Sequence, residues 1–273
     1  LTARVYVNRV WQWMMGMGIV ATPDDFGRLG EKPTHPELLD YLATEFIREG
    51  WSTKKLIRRI ALTETFRQSG AVSDDARTRD PGNRLRHHYP TRRLEAEAIR
   101  DSLLAVSGRL DPQLYGRPIL PKRAAEDGAK RLFSGPLDGH GRRSIYLQMS
   151  IMEPPKFLVG FNLPDLRLPT GRRDGTNVPA QALILLNDPF VDALALHWAK
   201  RLLKAPHTAP ADRVAAMFAA AFGRAASEAE SKRWTSALED LATPGQADVM
   251  KDEAAWAHLG HAFFNAKEFL YYR

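Results

Sequence analysis

Chemistry in this chain of 273 residues would have to come from a few acids, arginines and histidines. Asp24 and Asp25 stand side by side after Pro23 in TPDDFG, His87 and His88 are adjacent, and His258 and His261 are three apart. Asp25, Arg93, Glu95, Glu97, Asp101, Arg143 and Arg173 flank a long irregular middle and form a candidate polar network. Paired carboxyls could perform acid and base steps on a glycosidic bond. Guanidinium forks suit carboxylate, sulfate or phosphate, and imidazoles can ligate a metal.

Each candidate has a plainer reading. His258 and His261 can share a helix face, but two imidazoles are half a metal site and no HExxH occurs. His87 and His88 cannot share such a face and read as loop residues. There is no GxSxG, P-loop or GxGxxG, so the hydrolase and nucleotide-binding templates fail. The absence of cysteine removes disulfides, thiolate zinc, iron–sulfur clusters and a covalent c-type haem from this segment. The expectation is no metal and no cofactor here, with catalytic residues unassigned. An Asp side chain bonds backbone N–H groups one or two residues on, which accounts for Asp24 and Asp25; the alternative is a buried Asp25 holding Arg9 or Arg28. In the network, carboxylates beside arginines make poor general acids near neutrality. The balance therefore favours structure over catalysis.

The formal charge of +7 is unevenly placed. Residues 176–273 hold 10 basic against 11 acidic side chains, and residues 1–175 hold 29 against 21. The basic part contains Arg58-Arg59, Arg92-Arg93, Arg142-Arg143 and Arg172-Arg173. These pairs are either an anion-binding surface, for acidic glycan or nucleic acid, or internal ion pairs and carbonyl caps. No lysine-rich tail or recognised nucleic-acid motif accompanies them, so the internal reading is favoured and nucleic acid is the weaker partner.

The elements that would position these groups are helices. Val7, Val10, Trp11 and Met14 recur at helical spacing, with Gly16 or Gly18 as the stop. Thr34 and Glu37 in THPE read as a capping box with Pro36 in the first turn, and His35 as exposed there. Leu38, Leu39, Leu42 and Phe46 follow, Gly50 stops that helix, and Ser52 caps the next, which carries Leu56 and Ile60. Residues 91–108 form the strongest helix, with Ile99, Ser102, Leu103 and Val106 inward. From Leu110 to Thr170 eight prolines break the period, leaving one short strand at RSIYLQM with Ile145, Leu147 and Met149 on one face. Thr176 or Asn177, Asp188 and Ser227 with Glu230 read as caps of later helices. Those helices bury Val191, Leu194, Ala195, Trp198 and Leu202, then Trp234, Leu238 and Leu241, then Trp256, Leu259 and Phe263. The fold class is mainly α, an irregular helical domain with a long loop-rich middle and at most one small β hairpin or short strand pair. A single domain, 1–273, is expected, with 1–175 and 176–273 as its natural subdivision. No apolar run reaches the roughly 20 residues of a transmembrane helix.

The blocks RVYVNRVWQWMMGMGIVATPDDFGRLGEKPTHPELLDYLATEF, GWSTKKLIRRIALTETFRQS, DPGNRL, RRLEAEAIRDSLLAVSGRLD, RRSIYLQM, NVPAQALILLN and EFLYYR resemble, in this order, the planctomycete-specific domain of unknown function 1553. The likeness runs from about Arg4 to Tyr272. Family members commonly read FG.G where this chain has Met15, Gly16, Met17 and Gly18, a conservative departure. The C-terminal part is also similar to small helical modules of other exported bacterial proteins. The first resemblance implies a module of large exported multidomain proteins with an extracytoplasmic location. It also implies an upstream cytochrome c-type domain in the parent, where a haem would sit, and other domains of the same chain as partners. It brings no established activity and no catalytic residue. The leading expectation is a non-catalytic structural or interaction module, with an acidic glycan as a candidate ligand. The rivals are an enzyme or half-enzyme acting on polysaccharide or sulfated glycan, and nucleic-acid binding. The chain opens on Leu1 without a signal-peptide pattern and reads as a fragment lacking its targeting information.

Overall fold

The computed structural model describes residues 1–173, 175–246 and 248–272. Among them eleven α-helices and a single two-stranded antiparallel sheet form, so the chain is mainly helical. The chain divides into two compact units, each with its own hydrophobic core. No helix among the described residues is long and apolar enough to cross a membrane.

The first unit comprises Leu1–Arg93, Leu168–Arg173 and Tyr271–Arg273. It contains α1 (Thr2–Met15), α2 (Pro36–Arg48), α3 (Thr53–Ala61), α4 (Asp74–Arg79), β1 (Arg92–Arg93) and β2 (Tyr271–Tyr272), the two strands pairing Arg92 with Tyr272 and Arg93 with Tyr271. Val7, Val10, Trp11 and Met15 of α1 meet Leu39, Leu42 and Phe46 of α2 and Leu56 and Ile60 of α3 in one core. Gly16 ends α1 with φ 81°, the left-handed conformation that glycine adopts without a Cβ penalty. Ser52 caps α3, its hydroxyl accepting from Lys55 N–H. The α2 start differs from the capping box read in THPE. His35, half-buried, occupies the cap position, and no side chain caps the helix. The hydroxyl and N–H of Thr34 both go to the Ile19 carbonyl, at 3.3 and 2.9 Å. Tying the incoming loop down has displaced local capping.

Arginines complete the C-terminal end of α1. Arg92 donates to the Trp13 and Met14 carbonyls, Tyr89 Oη to Met14, and Arg86 to Met17 and Gly18. The Trp13 and Met14 carbonyls are ones a helix end leaves without intrahelical partners, and those of Met17 and Gly18 belong to the loop that follows. Asn8, fully buried, grips Val20 by accepting its N–H at 2.9 Å and donating to its carbonyl at 3.0 Å.

The second unit, Leu94–Arg167 with Asp174–Leu270, holds α5 (Ala96–Ser107), α6 (Lys156–Gly160), α7 (Pro179–Asn187), α8 (Pro189–Lys204), α9 (Pro210–Phe222), α10 (Glu228–Asp240) and α11 (Glu253–Asn265). Its centre is α8 against α11. Trp198 stacks on Phe264 with centroids 5.3 Å apart and meets Phe263 edge-on. Gly260 allows the approach, since a Cβ there would lie 3.2 Å from the Trp198 ring. Asp188 and Ser227 cap α8 and α10 as their sequence patterns predict, and Glu230 returns to the Ser227 N–H. Asp252 caps α11. Helix α7 starts one residue after Val178, not Thr176 or Asn177, because Thr176 and Gln181 both bond the Asn162 side chain.

RSIYLQM is not a strand. Ser144–Tyr146 is a single 3-10 turn, and Leu147 makes only an isolated parallel bridge to Ile119. Ser144 and Leu147 are buried, three residues apart, while Ile145 is 74% exposed. The polar demand on Ser144, both of whose donors go to Asp101, overrides the alternation of apolar residues.

Candidate functional site

A cluster of charged side chains lies where α5 meets the irregular segment 109–147. Ala96, Arg100, Leu103 and Ser107 fall on one inward stripe of α5, and all four are buried. Arg100, 5% exposed, is therefore aimed inward by the same spacing that aims Leu103. Its guanidinium donates to the carbonyls of Arg142 and Asp138, at 2.9 and 2.8 Å, and to Ser144 Oγ at 3.3 Å, and it sits over the Phe190 ring. Burial lowers its pKa and Asp101 opposes that shift, but an arginine starts high enough to stay charged.

One residue on, the Asp101 carboxylate accepts both the N–H and the hydroxyl of Ser144. Arg100 and Arg143 lie 3.6 and 3.7 Å from its two oxygens. The Glu97 carbonyl is 3.3 Å from the same hydroxyl, so Glu97 takes part through its backbone. Arg142, 8% exposed, packs on the Tyr146 ring at 4.0 Å and donates to the carbonyls of Gln113 and Tyr115. Asp138 takes a two-pronged contact from Arg109 and the His140 N–H. Burial, the largest single influence, would raise the Asp138 carboxyl, but the Arg109 bond and charge together with the backbone N–H bonds leave the group below its ordinary value. Gly139, His140 and Gly141 all have positive φ, in the turn whose flanking carbonyls, of Asp138 and Arg142, face the Arg100 guanidinium.

As chemistry, this arrangement holds a loop. Ser144 is 1% exposed, and its hydroxyl proton is directed at a carboxylate that also accepts the Ser144 N–H and faces two guanidiniums. Nucleophilic use of a serine needs a base free to carry the proton away. Oδ1 of Asp101 is committed to both donors of Ser144, and Oδ2 faces the Arg143 guanidinium.

Of the seven network residues read in the sequence, this unit brings Glu97, Asp101 and Arg143 together. Glu95 is exposed at the N-cap of α5. The other three belong to the first unit. Asp25 accepts the Gly27 N–H at 2.7 Å, the local turn chemistry its sequence suggests. Its neighbour Asp24 meets Arg9, at 3.6 Å, and accepts the Gly171 N–H. Arg93 lies in β1 and Arg173 is exposed. The network read in the sequence omitted Arg100, Arg109, Asp138 and Ser144, and Arg142 entered only as part of an arginine pair. A charge on the apolar stripe of α5 was the available signal for Arg100.

The histidines divide. His258 is exposed, while His261 Nε2 reaches the Leu185 carbonyl at 2.9 Å. His87 and His88 bring their Nδ1 atoms to 3.2 Å, and His87 Nε2 is 3.2 Å from the Asp80 carbonyl. A carbonyl only accepts, so in neutral His87 the proton is on Nε2, and His88 must donate from Nδ1. Among the described residues no group of three His, Asp or Glu is placed to hold a metal ion.

The family described as PSD1, protein of unknown function (DUF1553), matches residues 1–238. The chain belongs to that family. No curated protein and no solved structure matches it. The match spans α1 to most of α10, so the loop locked by Arg100 and Arg142 lies within the PSD1 region.

Proposed function

We propose that this PSD1-family chain is a non-catalytic structural or interaction module of a larger exported multidomain protein. What supports the reading most is the state of Asp101, whose Oδ1 receives both donors of Ser144 while its two oxygens face two guanidiniums. The other strongly paired acids follow the same pattern. Glu230 and Glu268 clamp Arg224 from two sides, and that arginine's hydrogen bonds hold Glu230 well below its ordinary pKa. Arginines elsewhere cap carbonyls, Arg123 at Glu153, Arg201 at Val106 and Arg213 at Met250. The extracytoplasmic location, the planctomycete setting and a parent bearing a cytochrome c-type domain follow from the family resemblance and belong to this proposal.

The test is a turnover screen on sulfated and uronate polysaccharides alongside melting of Asp101→Asn. The module reading expects no product and a lowered melting temperature. Release of sulfate or new reducing ends, abolished by Asp101→Asn at unchanged melting temperature, would replace it with the enzyme reading.

A further inference from the structure

We infer that the outward face of α3, built by Lys54, Lys55 and Arg58, is a docking surface for a linear polysaccharide bearing sulfate or carboxylate groups. The inference rests on the module reading and supplies its ligand class. Residues 52–63 contain four basic side chains and no acid. Leu56 and Ile60, 2% and 0% exposed, point α3's apolar stripe into the core of its unit, which turns Lys54, Lys55 and Arg58 outward. The fourth cation, Arg59, is held by Glu49 at 2.7 Å, Glu45 at 3.0 Å and the Tyr41 hydroxyl at 2.7 Å. Glu45 also bonds Arg48. Glu45 and Glu49 are thus occupied by Arg59 and Arg48, while Lys54, Lys55 and Arg58 make no side-chain hydrogen bond or ion pair among the described residues.

Three uncompensated cations on a helix about 13 Å long form a charged ridge, with Lys54 and Arg58 one turn apart. At its N-terminal end Trp51, 49% exposed, stands edge-on against Phe46 at 5.2 Å. It offers a fixed ring to the apolar face of a sugar. An anionic bilayer fits this face less well. Interfacial helices insert an apolar face, and here that face is buried, leaving Ile57 and Leu62 at the margins. A single-stranded nucleic acid calls for a groove with successive aromatic platforms, whereas this surface is one convex helix.

The experiment titrates the 273-residue chain with dextran sulfate, carboxymethyl dextran and neutral dextran at several salt concentrations. It compares a triple variant, Lys54→Gln, Lys55→Gln and Arg58→Gln, with a control carrying Arg117→Gln, Lys122→Gln and Lys156→Gln, exposed cations of the second unit. Both variants remove the same charge, and circular dichroism checks that both melt like the parent chain. The expected result is salt-sensitive binding to both charged dextrans, none to neutral dextran, and a loss of about tenfold or more only in the α3 variant. The proposal is overturned if neither charged dextran binds, or if the two variants lose affinity equally. It is also overturned if phosphatidylglycerol vesicles or single-stranded DNA bind through α3 as tightly as the dextrans. Free sulfate or reducing ends, assayed in the same samples, report separately on the module reading.

Discussion

Asp101 Oδ1 lies 2.7 Å from both the backbone nitrogen and the hydroxyl oxygen of Ser144. One carboxylate oxygen thereby anchors the turn that follows Arg142-Arg143 to the second turn of α5. Replacing Asp101 by Ala leaves two donors of a buried residue without their acceptor, a cost of about 1 to 3 kcal/mol for each unsatisfied group. Ser144→Ala removes donor and acceptor hydroxyl together and should cost less. Urea unfolding of the two variants checks the order, and an equal or reversed order would show that the turn is held by something else.

Arg100 tests whether fork geometry matters as well as charge. Its Nη1 and Nη2 reach carbonyls of residues 142 and 138 together, which one ammonium cannot copy. Arg100→Lys should therefore be destabilised by about 2 to 4 kcal/mol, the loss of one or two charge-assisted bonds at a buried site. Denaturant midpoints at unchanged slope would report it.

Gly141 has φ +74°, and a Cβ on it would come within 2.0 Å of the Arg109 carbonyl oxygen. Because the obstacle is backbone, no rotamer relieves it. Gly141→Ala should destabilise by more than about 1 kcal/mol, beyond the usual gain from a stiffer unfolded chain. By contrast, Gly128→Ala meets nothing within 4 Å and lies at no positive φ. It should be neutral or slightly stabilising, and paired thermal melts of the two variants make the comparison.

The His87 and His88 pair should make stability depend on pH. His88 is pushed below its ordinary pKa by burial first and by His87 second, with Arg77 adding to the shift and Asp80 opposing it. A folded value below the unfolded one means that the unfolded chain binds the proton more readily. The stabilising contribution is complete above about pH 6.5 and is lost as pH falls below that towards the depressed folded value. Asp80 and Asp138, also depressed, lose theirs only below the ordinary aspartate range. Acid unfolding should thus begin with a shallow slope just below pH 6.5 that His88→Gln removes, followed by a steeper aspartate phase that it leaves alone.

Periodicity made most of the helices legible. The α8 stripe of Val191, Leu194, Ala195, Trp198 and Leu202 is buried throughout, and Ser227 with Glu230 is a cap written in four letters. The segment 109–170 resisted because its order comes from side chains bonding distant carbonyls. Arg142 reaches Gln113 and Tyr115, and Arg123 reaches Glu153, and no repeat length records such pairings. Arg100 escaped the sequence reading for a related reason, since a charge stands out on a helix only when its position on the apolar stripe is weighed against its type. Within the arginine pairs, residue type alone could not separate Arg59, held by glutamates, from Arg58, which faces water.

The antiparallel pairing of Arg92-Arg93 with Tyr271-Tyr272 constrains how the protein comes into being. On a ribosome the second strand emerges some 180 residues after the first, roughly ten to forty seconds later at ordinary elongation speeds. Throughout that interval the backbone edge at residues 92 and 93 stands without its mate, and the first of the two units stays unfinished until the second has been translated.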